Sequence, residues 1–191
     1  MDQDTATMPA RTGVTDDDLL AQPRDGRKYE LVDGEIRVSP AGGRHGQVTL
    51  ELGARLLIHV RTHRLGLVLD SSTGFRLAGR TAGEHDVRSP DLGFVAAGRL
   101  PQDRAPVGFL ELAPDLAVEV LSPDDRRREL LEKVGEFLDA GTRLVWVIDP
   151  EARRAAVYRS LTDVHQLAED GILDGDEVVP GFSCPLREIL T

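Results

Sequence analysis

The sequence predicts an α/β fold, in which a mixed β-sheet is flanked by α-helices and extended by antiparallel strands. Residues 113–150 run strand, capped helix, strand, with charged residues at the edge of an apolar run. Before this unit, a segment with helical apolar spacing lies among short strand-like runs. After it come further short strand-like runs with Gly- and Pro-rich connections. Together these observations favour a sandwich of sheet and helices.

The length and charge of the chain limit its organisation. Its 191 residues suffice for one hydrophobic core without disulfides or a structural metal. We expect residues 1–14 to form a disordered tail and residues 15–191 to form a single domain. The formal net charge is -10, so the molecule as a whole has no general attraction for nucleic acid or anionic membranes. Any phosphate-binding surface must therefore be local.

The N-terminal segment and the cysteine content bear on the cellular compartment. Residues 1–18 are polar and acidic, without the apolar stretch of a signal peptide, and no run approaches the length of a membrane span. Cys184 is the single cysteine, which excludes an internal disulfide and a cysteine-based zinc site. We expect a cytoplasmic protein that does not bind membranes.

Capping, turn and periodicity patterns predict the elements before residue 113. Thr15 and Asp18 have the spacing of a capping box, and Asp33-Gly34 between two strand-like runs is typical of a tight hairpin. An amphipathic helix is predicted from 45 to about 63, with Val48, Leu52, Leu56, Leu57 and Val60 on its apolar face. The other predicted elements are a helix through residue 20, hairpin strands at 29–32 and 35–38, paired strands at 67–69 and 75–77, a strand at 87–96 and a loop at 98–108.

The unit at residues 113–150 is predicted from its apolar runs and helix ends. Residues 116–121 form a short, mostly apolar run, as in a strand that is buried on both faces. Ser122-Pro123 then supplies an N-cap and a first-turn proline for a helix that ends at Gly141. The remaining predicted strands are 143–148, followed by antiparallel additions at 155–158, at 164–167 and in a C-terminal segment containing Val178, Val179 and Phe182.

Two carboxylates in apolar surroundings predict a metal site. Glu119 lies within a buried run, where a carboxylate is costly unless it is paired or binds a metal, and Asp91 lies in a second strand-like run. If the two strands are adjacent, both carboxylates meet at one edge of the sheet. Oxygen ligands suit Mg²⁺, which keeps waters for a phosphate substrate. The alternatives are that Glu119 reaches solvent or pairs with an arginine, and that Pro90-Asp91 opens an ordinary turn.

The scarcity of lysine draws attention to Lys133. The chain has 21 arginines and two lysines, and only lysine offers a compact ammonium group. Lys133 lies on the helix that leaves the Glu119 strand, so its side chain could stabilise developing charge or orient a nucleophile beside the metal. The alternative is a surface ion pair with Glu129 at i,i+4.

The ordered motifs resemble those of the Uma-type endonuclease family, a bacterial branch of the restriction-endonuclease-like PD-(D/E)XK superfamily. The resemblance spans about residues 15–185. It is carried by YELVDGE at 29–35, His45 at the opening of a helix, SPDL at 89–92, APDLAVEVLSP at 113–123, Lys133, and VWVIDP at 145–150. It implies a restriction-endonuclease-like mixed sheet flanked by helices, and a metal-dependent nuclease.

The resemblance also implies roles for individual residues. Asp91 and Glu119 correspond to the acidic metal ligands, and the backbone carbonyl of Val120 adds a further ligand. The superfamily lysine normally stands two residues after the glutamate, where this chain has Leu121. In the family the lysine moves to the following helix, which points to Lys133. Glu30 is a further acidic group that supports the metal site, or else a polar position in a hairpin strand.

Several other residues allow both a functional and a purely structural interpretation. His45 could support the metal ligands or act as a general base, or it could simply lie at a helix start. Arg126, Arg127 and Arg128 could contact a phosphate backbone, or form a solvated arginine run. His59 and His63 have zinc-ligand spacing, but Val60 stands where the metalloprotease motif needs glutamate, so we interpret them as a solvated helix end.

These expectations lead to one main hypothesis and two rivals. The main hypothesis is a Mg²⁺- or Mn²⁺-dependent endonuclease that hydrolyses phosphodiester bonds in DNA, with Asp91, Glu119, Lys133 and Glu30 at the site. Since cutting both strands needs two active sites or two binding events, we expect a homodimer. One rival is a catalytically weak or inactive nuclease-fold protein that binds nucleic acid or a protein. The other rival is a metal-dependent hydrolase of small phosphorylated molecules.

Overall fold

The computed structural model describes residues 14–23, 28–39, 42–78, 87–101, 104–122 and 127–190. The predicted tail at 1–14 therefore lies outside the described residues, except for Val14. The elements are α1 Asp16–Leu20, β1 Lys28–Val32, β2 Glu35–Ser39, α2 Gly43–His63, β3 Gly66–Asp70, β4 Phe75–Arg76, β5 Val87–Arg88, β6 Leu92–Ala96, β7 Leu116–Val120, α3 Arg127–Asp139, β8 Leu144–Asp149, β9 Arg154–Tyr158, β10 Val164–Leu167, β11 Ile172–Asp174, β12 Ser183–Pro185 and a 3₁₀ turn at Leu186–Glu188.

The central sheet is mixed, as the sequence predicts. Its six strands lie in the order β10-β9-β8-β7-β6-β3, and β7 and β8 form a parallel pair while the other neighbours are antiparallel. A four-stranded sheet has the order β2-β1-β5-β4, and β11 pairs with β12. The α/β class and the antiparallel additions β9 and β10 are therefore confirmed.

The two faces of the central sheet carry different helices. Because successive side chains on a strand point to opposite faces, Leu116, Val118 and Val120 share one face of β7, whereas Ala117 and Glu119 share the other. The first set packs in a cluster with the buried residues of α2, and Ala117 packs in a cluster with the buried residues of α3. Glu119 therefore lies on the α3 face of the sheet.

Local patterns predict several elements correctly. Asp18 accepts hydrogen bonds from the backbone N–H and hydroxyl of Thr15 at 2.8 and 2.9 Å, at the start of α1. Asp33 and Gly34 both have positive φ in the turn between β1 and β2. Gly141 ends the α3 segment with a φ of 100°. The predicted cap at Ser122-Pro123 is not tested, because residues 123–126 lie outside the described ranges.

The predicted pairing of residues 67–69 with 75–77 is wrong. β3 pairs with β6 in the central sheet, whereas β4 pairs with β5 in the four-stranded sheet. Where the chain changes sheets, Leu110 bridges the edge of β4 that does not pair with β5: its N–H donates to the carbonyl of Gly74 at 2.9 Å, and its carbonyl accepts from the N–H of Arg76 at 2.8 Å. A Cβ at Gly74 would lie within 2.7 Å of side-chain atoms of Phe109 and Val87, so this close approach requires glycine.

The single strand predicted at 87–96 is two strands in two sheets. β5 belongs to the four-stranded sheet and β6 to the central sheet, with Ser89-Pro90-Asp91 between them. Proline has no N–H to donate to a strand ladder, which explains the interruption. The break brings Asp91 to the start of β6, beside β7.

Two further side-chain expectations are corrected. Leu57 does not join the apolar face of α2 but is 37% exposed, because its helical position points away from Val48, Leu52, Leu56 and Val60. Val178, Val179 and Phe182 are buried in the α2-side cluster, but they lie between β11 and β12 rather than on strands. In the described ranges, no helix has both the length and the apolar character to cross a membrane.

Candidate active site

Asp91 is held against the end of β7 by backbone hydrogen bonds. Its N–H donates to the carbonyl of Val118 at 2.9 Å, and its Oδ2 accepts from the N–H of Val120 at 2.8 Å. β6 and β7 are therefore neighbours, as the metal-site hypothesis requires. Asp91 and Glu119 are only 3% and 7% exposed, and they belong to the same strand end.

His45 approaches Asp91 from the first turns of α2. Its Nε2 lies 2.9 Å from Asp91 Oδ2, so the same carboxylate oxygen contacts both the histidine and the Val120 N–H. The histidine side chain is 13% exposed. Two contacts on one oxygen fix the orientation of the Asp91 carboxylate.

Lys133 lies at the centre of an acidic cluster on the α3 face. Its Nζ is 2.9 Å from Glu119 Oε1 and 3.0 Å from Glu30 Oε1, and it donates to the carbonyl of Ser89 at 3.3 Å. The side chain is 12% exposed. This burial excludes the alternative in which Lys133 is an exposed surface partner of Glu129.

Glu30 connects β1 to the same cluster. Its Oε1 accepts a hydrogen bond from the N–H of Ser89 at 2.9 Å as well as pairing with Lys133. Ser89 therefore contacts Glu30 through its N–H and Lys133 through its carbonyl. Glu30 is buried, whereas Glu35 on the next strand of the hairpin is exposed.

The pKa of Lys133 lies above its ordinary value. Burial is the largest single influence and lowers this pKa, since it removes the ammonium from water. The negative charges of Glu119, Glu30 and Asp91, together with the hydrogen bond to Glu119, raise the pKa and outweigh burial. Lys133 is therefore an ammonium ion at neutral pH in the metal-free protein.

The charges of the cluster suit a divalent cation. Glu30, Asp91 and Glu119 are three buried carboxylates, Lys133 pairs with two of them, and His45 contacts Asp91. A buried carboxylate is costly unless it is paired or binds a metal. Among the described residues there is no group of three or more His, Cys, Asp or Glu side chains arranged to hold a metal. Any ion here would therefore need backbone or water oxygens beside two carboxylates, the arrangement that Mg²⁺ commonly uses.

The remaining predicted residues lie elsewhere or in other environments. Arg127 and Arg128 are exposed on α3, where Arg128 donates to Glu132 at 2.8 Å, and Arg126 is outside the described residues. His63 is exposed, but His59 is half-buried, and its Nε2 lies 3.0 Å from the carbonyl of Pro180. The interpretation of the two histidines as a solvated helix end is therefore wrong for His59, because the β11–β12 turn packs on it.

The Arg88–Glu136 ion pair was not predicted from the sequence. Arg88 and Glu136 are 5% and 9% exposed, and the guanidinium Nη2 donates to Glu136 Oε1 at 2.7 Å while its Nε donates to Oε2. Arg88 immediately precedes Ser89, and Glu136 lies one helical turn after Lys133. Both residues are therefore close in sequence to predicted site residues, which could have drawn attention to them. Only the tertiary structure shows that they pair with each other.

Comparison with known proteins agrees with this architecture. A crystal structure of a protein from Anabaena variabilis ATCC 29413, described as a "putative nuclease belonging to DUF820", superposes with a TM-score of 0.77 and 21% sequence identity. The match covers 93% of this chain and 97% of that chain, and at this identity it shows a shared fold. No curated protein matches the chain. A family model described as "Uma2: Putative restriction endonuclease" matches residues 16–187, so the chain belongs to the Uma2 family and has a restriction-endonuclease-like fold.

Proposed function

We propose that this protein is a Mg²⁺- or Mn²⁺-dependent endonuclease that hydrolyses phosphodiester bonds in DNA. The observation that carries the proposal is the convergence of Asp91, Glu119 and Glu30 around the ammonium group of Lys133 at one strand end. Membership of the Uma2 family supports the same reaction class. The similarity to a solved protein described as a nuclease supports the fold on which that chemistry would occur.

Asp91 and Glu119 are the proposed metal ligands, with the backbone carbonyl of Val120 as a further oxygen donor. A bound Mg²⁺ or Mn²⁺ would polarise the phosphate and lower the pKa of the attacking water. His45 and the Val120 N–H hold the Asp91 carboxylate in one orientation, which is the usual task of groups that contact a metal ligand.

Lys133 and Glu30 have complementary roles in the proposed reaction. Hydrolysis adds the water oxygen to phosphorus and breaks one P–O ester bond, so negative charge develops on the phosphate oxygens and on the leaving oxygen. The Lys133 ammonium stabilises that charge. Glu30 and the Ser89 carbonyl hold the ammonium beside Glu119, so that it is oriented before the substrate binds.

Substrate recognition must overcome the acidic character of the chain. With a net charge of -10, the protein needs a local positive surface to bind DNA. The exposed side chains of Arg127 and Arg128 at the start of α3 are the proposed phosphate contacts, with Arg126 as a third expected from the sequence. A homodimer would supply a second active site for the opposite strand.

A second candidate function is a nuclease-fold protein that binds nucleic acid or a protein without useful catalysis. The replacement of the motif lysine by Leu121 and the acidic net charge favour this candidate. Hydrolysis of small phosphorylated molecules would use the same carboxylates, and activity on nucleotides but not on polymers would identify it.

The deciding experiment is cleavage of supercoiled and single-stranded circular DNA by purified protein with Mg²⁺, Mn²⁺ or chelator. Wild type is compared with Glu119→Ala and Lys133→Met. Asp115→Asn is the matched control, because Asp115 is also buried and ion-paired but precedes β7 at its opposite end, where it contacts Arg99 and Arg143.

We expect metal-dependent cutting by wild type and Asp115→Asn, and its loss in the other two variants. Equal activity in all four proteins would mean contamination or a misplaced site. If folded wild type binds DNA but does not cut it under any metal condition, the binding function replaces the nuclease.

A further inference from the structure

The buried ion pair between Arg88 and Glu136 joins the strand that precedes Ser89 to the helix that carries Lys133. Arg88 ends β5, directly before Ser89, and Glu136 lies on α3 one turn beyond Lys133. The guanidinium contacts both carboxylate oxygens, so the pair constrains the angle as well as the distance between strand and helix. Because Arg88 is bonded directly to Ser89 along the chain, its placement reaches Lys133 through the Ser89 carbonyl and Glu30 through the Ser89 N–H.

A buried ion pair of this kind is poorly explained by stability alone. Removing two charges from water is costly, and replacing such a pair by apolar residues of similar volume is often neutral or stabilising. Apolar residues would, however, allow α3 to slide or rotate against β5, because their contacts have little directionality. A bidentate Arg–carboxylate pair permits one relative placement.

The placement of α3 relative to β5 matters because Lys133 lies on α3 but makes its contacts with residues outside this helix. Its Nζ contacts Ser89 on the β5 side, through the carbonyl, and Glu30 on β1, whose carboxylate also accepts from the Ser89 N–H. A shift of α3 along β5 by about one ångström would exceed the tolerance of these hydrogen bonds. Arg88–Glu136 is thus a two-point link between β5 and α3 that would keep the three contacts of Lys133 together.

We propose that Arg88 and Glu136 are positioning residues, which hold α3 in register with β5 so that the Lys133 ammonium stays between Glu119, Glu30 and the Ser89 carbonyl. The importance of this placement for catalysis rests on the proposed nuclease function. The placement itself does not, because it can be measured in the absence of metal and DNA.

The test uses the fact that the chain has only two lysines, Lys28 and Lys133. In protein labelled with ¹⁵N-lysine, we expect the Lys133 ammonium to give a resolved ¹H–¹⁵N signal, because burial and hydrogen bonding slow its exchange with water. The signal is assigned by its loss in Lys133→Met. The informative variant is Arg88→Met/Glu136→Leu, with circular dichroism and thermal unfolding as the measure of folding.

The matched control is Arg153→Met/Glu169→Gln. Arg153 and Glu169 also form a two-point ion pair, but it is half-buried, lies beside Leu190 and does not join β5 to α3. Positioning predicts that the Lys133 signal broadens or shifts in Arg88→Met/Glu136→Leu while the melting temperature stays near that of wild type, and that the control leaves the signal unchanged. An unchanged signal in the folded double variant would overturn the proposal.

If Arg88→Met/Glu136→Leu does not fold, Glu136→Gln takes its place, since it keeps the shape of the side chain and removes only the charge and one acceptor. A broadened or shifted Lys133 signal then supports the proposal, and an unchanged signal overturns it.

For the cleavage reaction of the variant we expect kcat to fall by about 10- to 100-fold with KM little changed, as for misplacement of a reacting group. If wild type does not cut DNA but the Lys133 signal broadens in the variant, the nuclease function is rejected and the positioning role of the ion pair is retained. If wild type and variant are both fully active and the Lys133 signal of the variant is unperturbed, the nuclease function is retained and the positioning role is rejected.

Discussion

The ammonium group of Lys133 on α3 lies 2.9 Å from the carboxylate of Glu119 on β7. The superfamily pattern places the lysine on the same strand as the glutamate, where this chain has Leu121. Here the helix supplies the ammonium from the face of the sheet to which Glu119 points. The positive charge beside the Glu119 carboxylate therefore comes from α3 rather than from β7.

Lys133→Met should destabilise the metal-free protein at neutral pH. It leaves the carboxylates of Glu119 and Glu30 buried beside one another without their shared cation, and losing one partner of a buried ion pair costs about 3 kcal/mol. Because the folded-state pKa of Lys133 is raised, the lysine contributes fully below its unfolded pKa of about 10.4, and the contribution is lost as pH rises through the folded value. Urea unfolding in chelator at pH 7, 9 and 11 measures the difference from wild type. A variant as stable as wild type at pH 7 would contradict this account.

Divalent metal should stabilise the wild type and leave the ligand variants unaffected. A ligand at 100 times its Kd adds about 2.7 kcal/mol to the free energy of unfolding. We therefore expect Mn²⁺ to raise the melting temperature of wild type and of Asp115→Asn, but not that of Asp91→Asn or Glu119→Gln. Thermal unfolding with and without Mn²⁺ makes the comparison. A rise that persists in both ligand variants would place the metal elsewhere.

His45→Ala should weaken metal binding while the fold is retained. The histidine contacts Asp91 Oδ2 at 2.9 Å, and loss of a group that orients a metal ligand typically reduces affinity by about 10- to 100-fold. Isothermal titration with Mn²⁺ provides the measurement. His63→Ala is the control, since His63 is exposed at the far end of the same helix. Equal affinities in the two variants would show that His45 does not support the site.

Cys184 should react slowly with thiol reagents in the native protein. The residue is 1% exposed, and burial is the main cause that raises the pKa of its thiol, so the reactive thiolate is disfavoured. We expect little labelling by Ellman's reagent at pH 8 and complete labelling of the single thiol in denaturant. Rapid labelling without denaturant would mean that the β11–β12 segment opens readily.

Several features of the site followed from local pattern. A carboxylate in the apolar run at 116–121 indicated that Glu119 is paired or binds a metal, and the rarity of lysine pointed to Lys133. The SPD motif indicated Asp91 as the second carboxylate. Each of these inferences uses information that neighbouring residues carry, such as burial, charge and chain direction.

The contacts among these residues could not be derived in the same way. The sequence does not show that Glu30 accepts from the Ser89 N–H, or that Arg88 pairs with Glu136, because each pair joins segments that are distant along the chain. The failed pairing of 67–69 with 75–77 has the same origin. Two short runs beside a turn are compatible with a hairpin, and only their contacts with β6 and β5 decided otherwise.

The sequence by itself determined the α/β class, most of the elements and the residue types available for metal chemistry, since periodicity, caps and turn residues act over a few neighbouring positions. Tertiary structure decided the division into two larger sheets, the contact of His59 with the carbonyl of Pro180 and the meeting of Lys133 with Glu119 and Glu30. These depend on which apolar faces pack together across the whole chain. Strand pairing and helix placement minimise the total exposed apolar surface and unpaired polar groups, and no single segment contains that information.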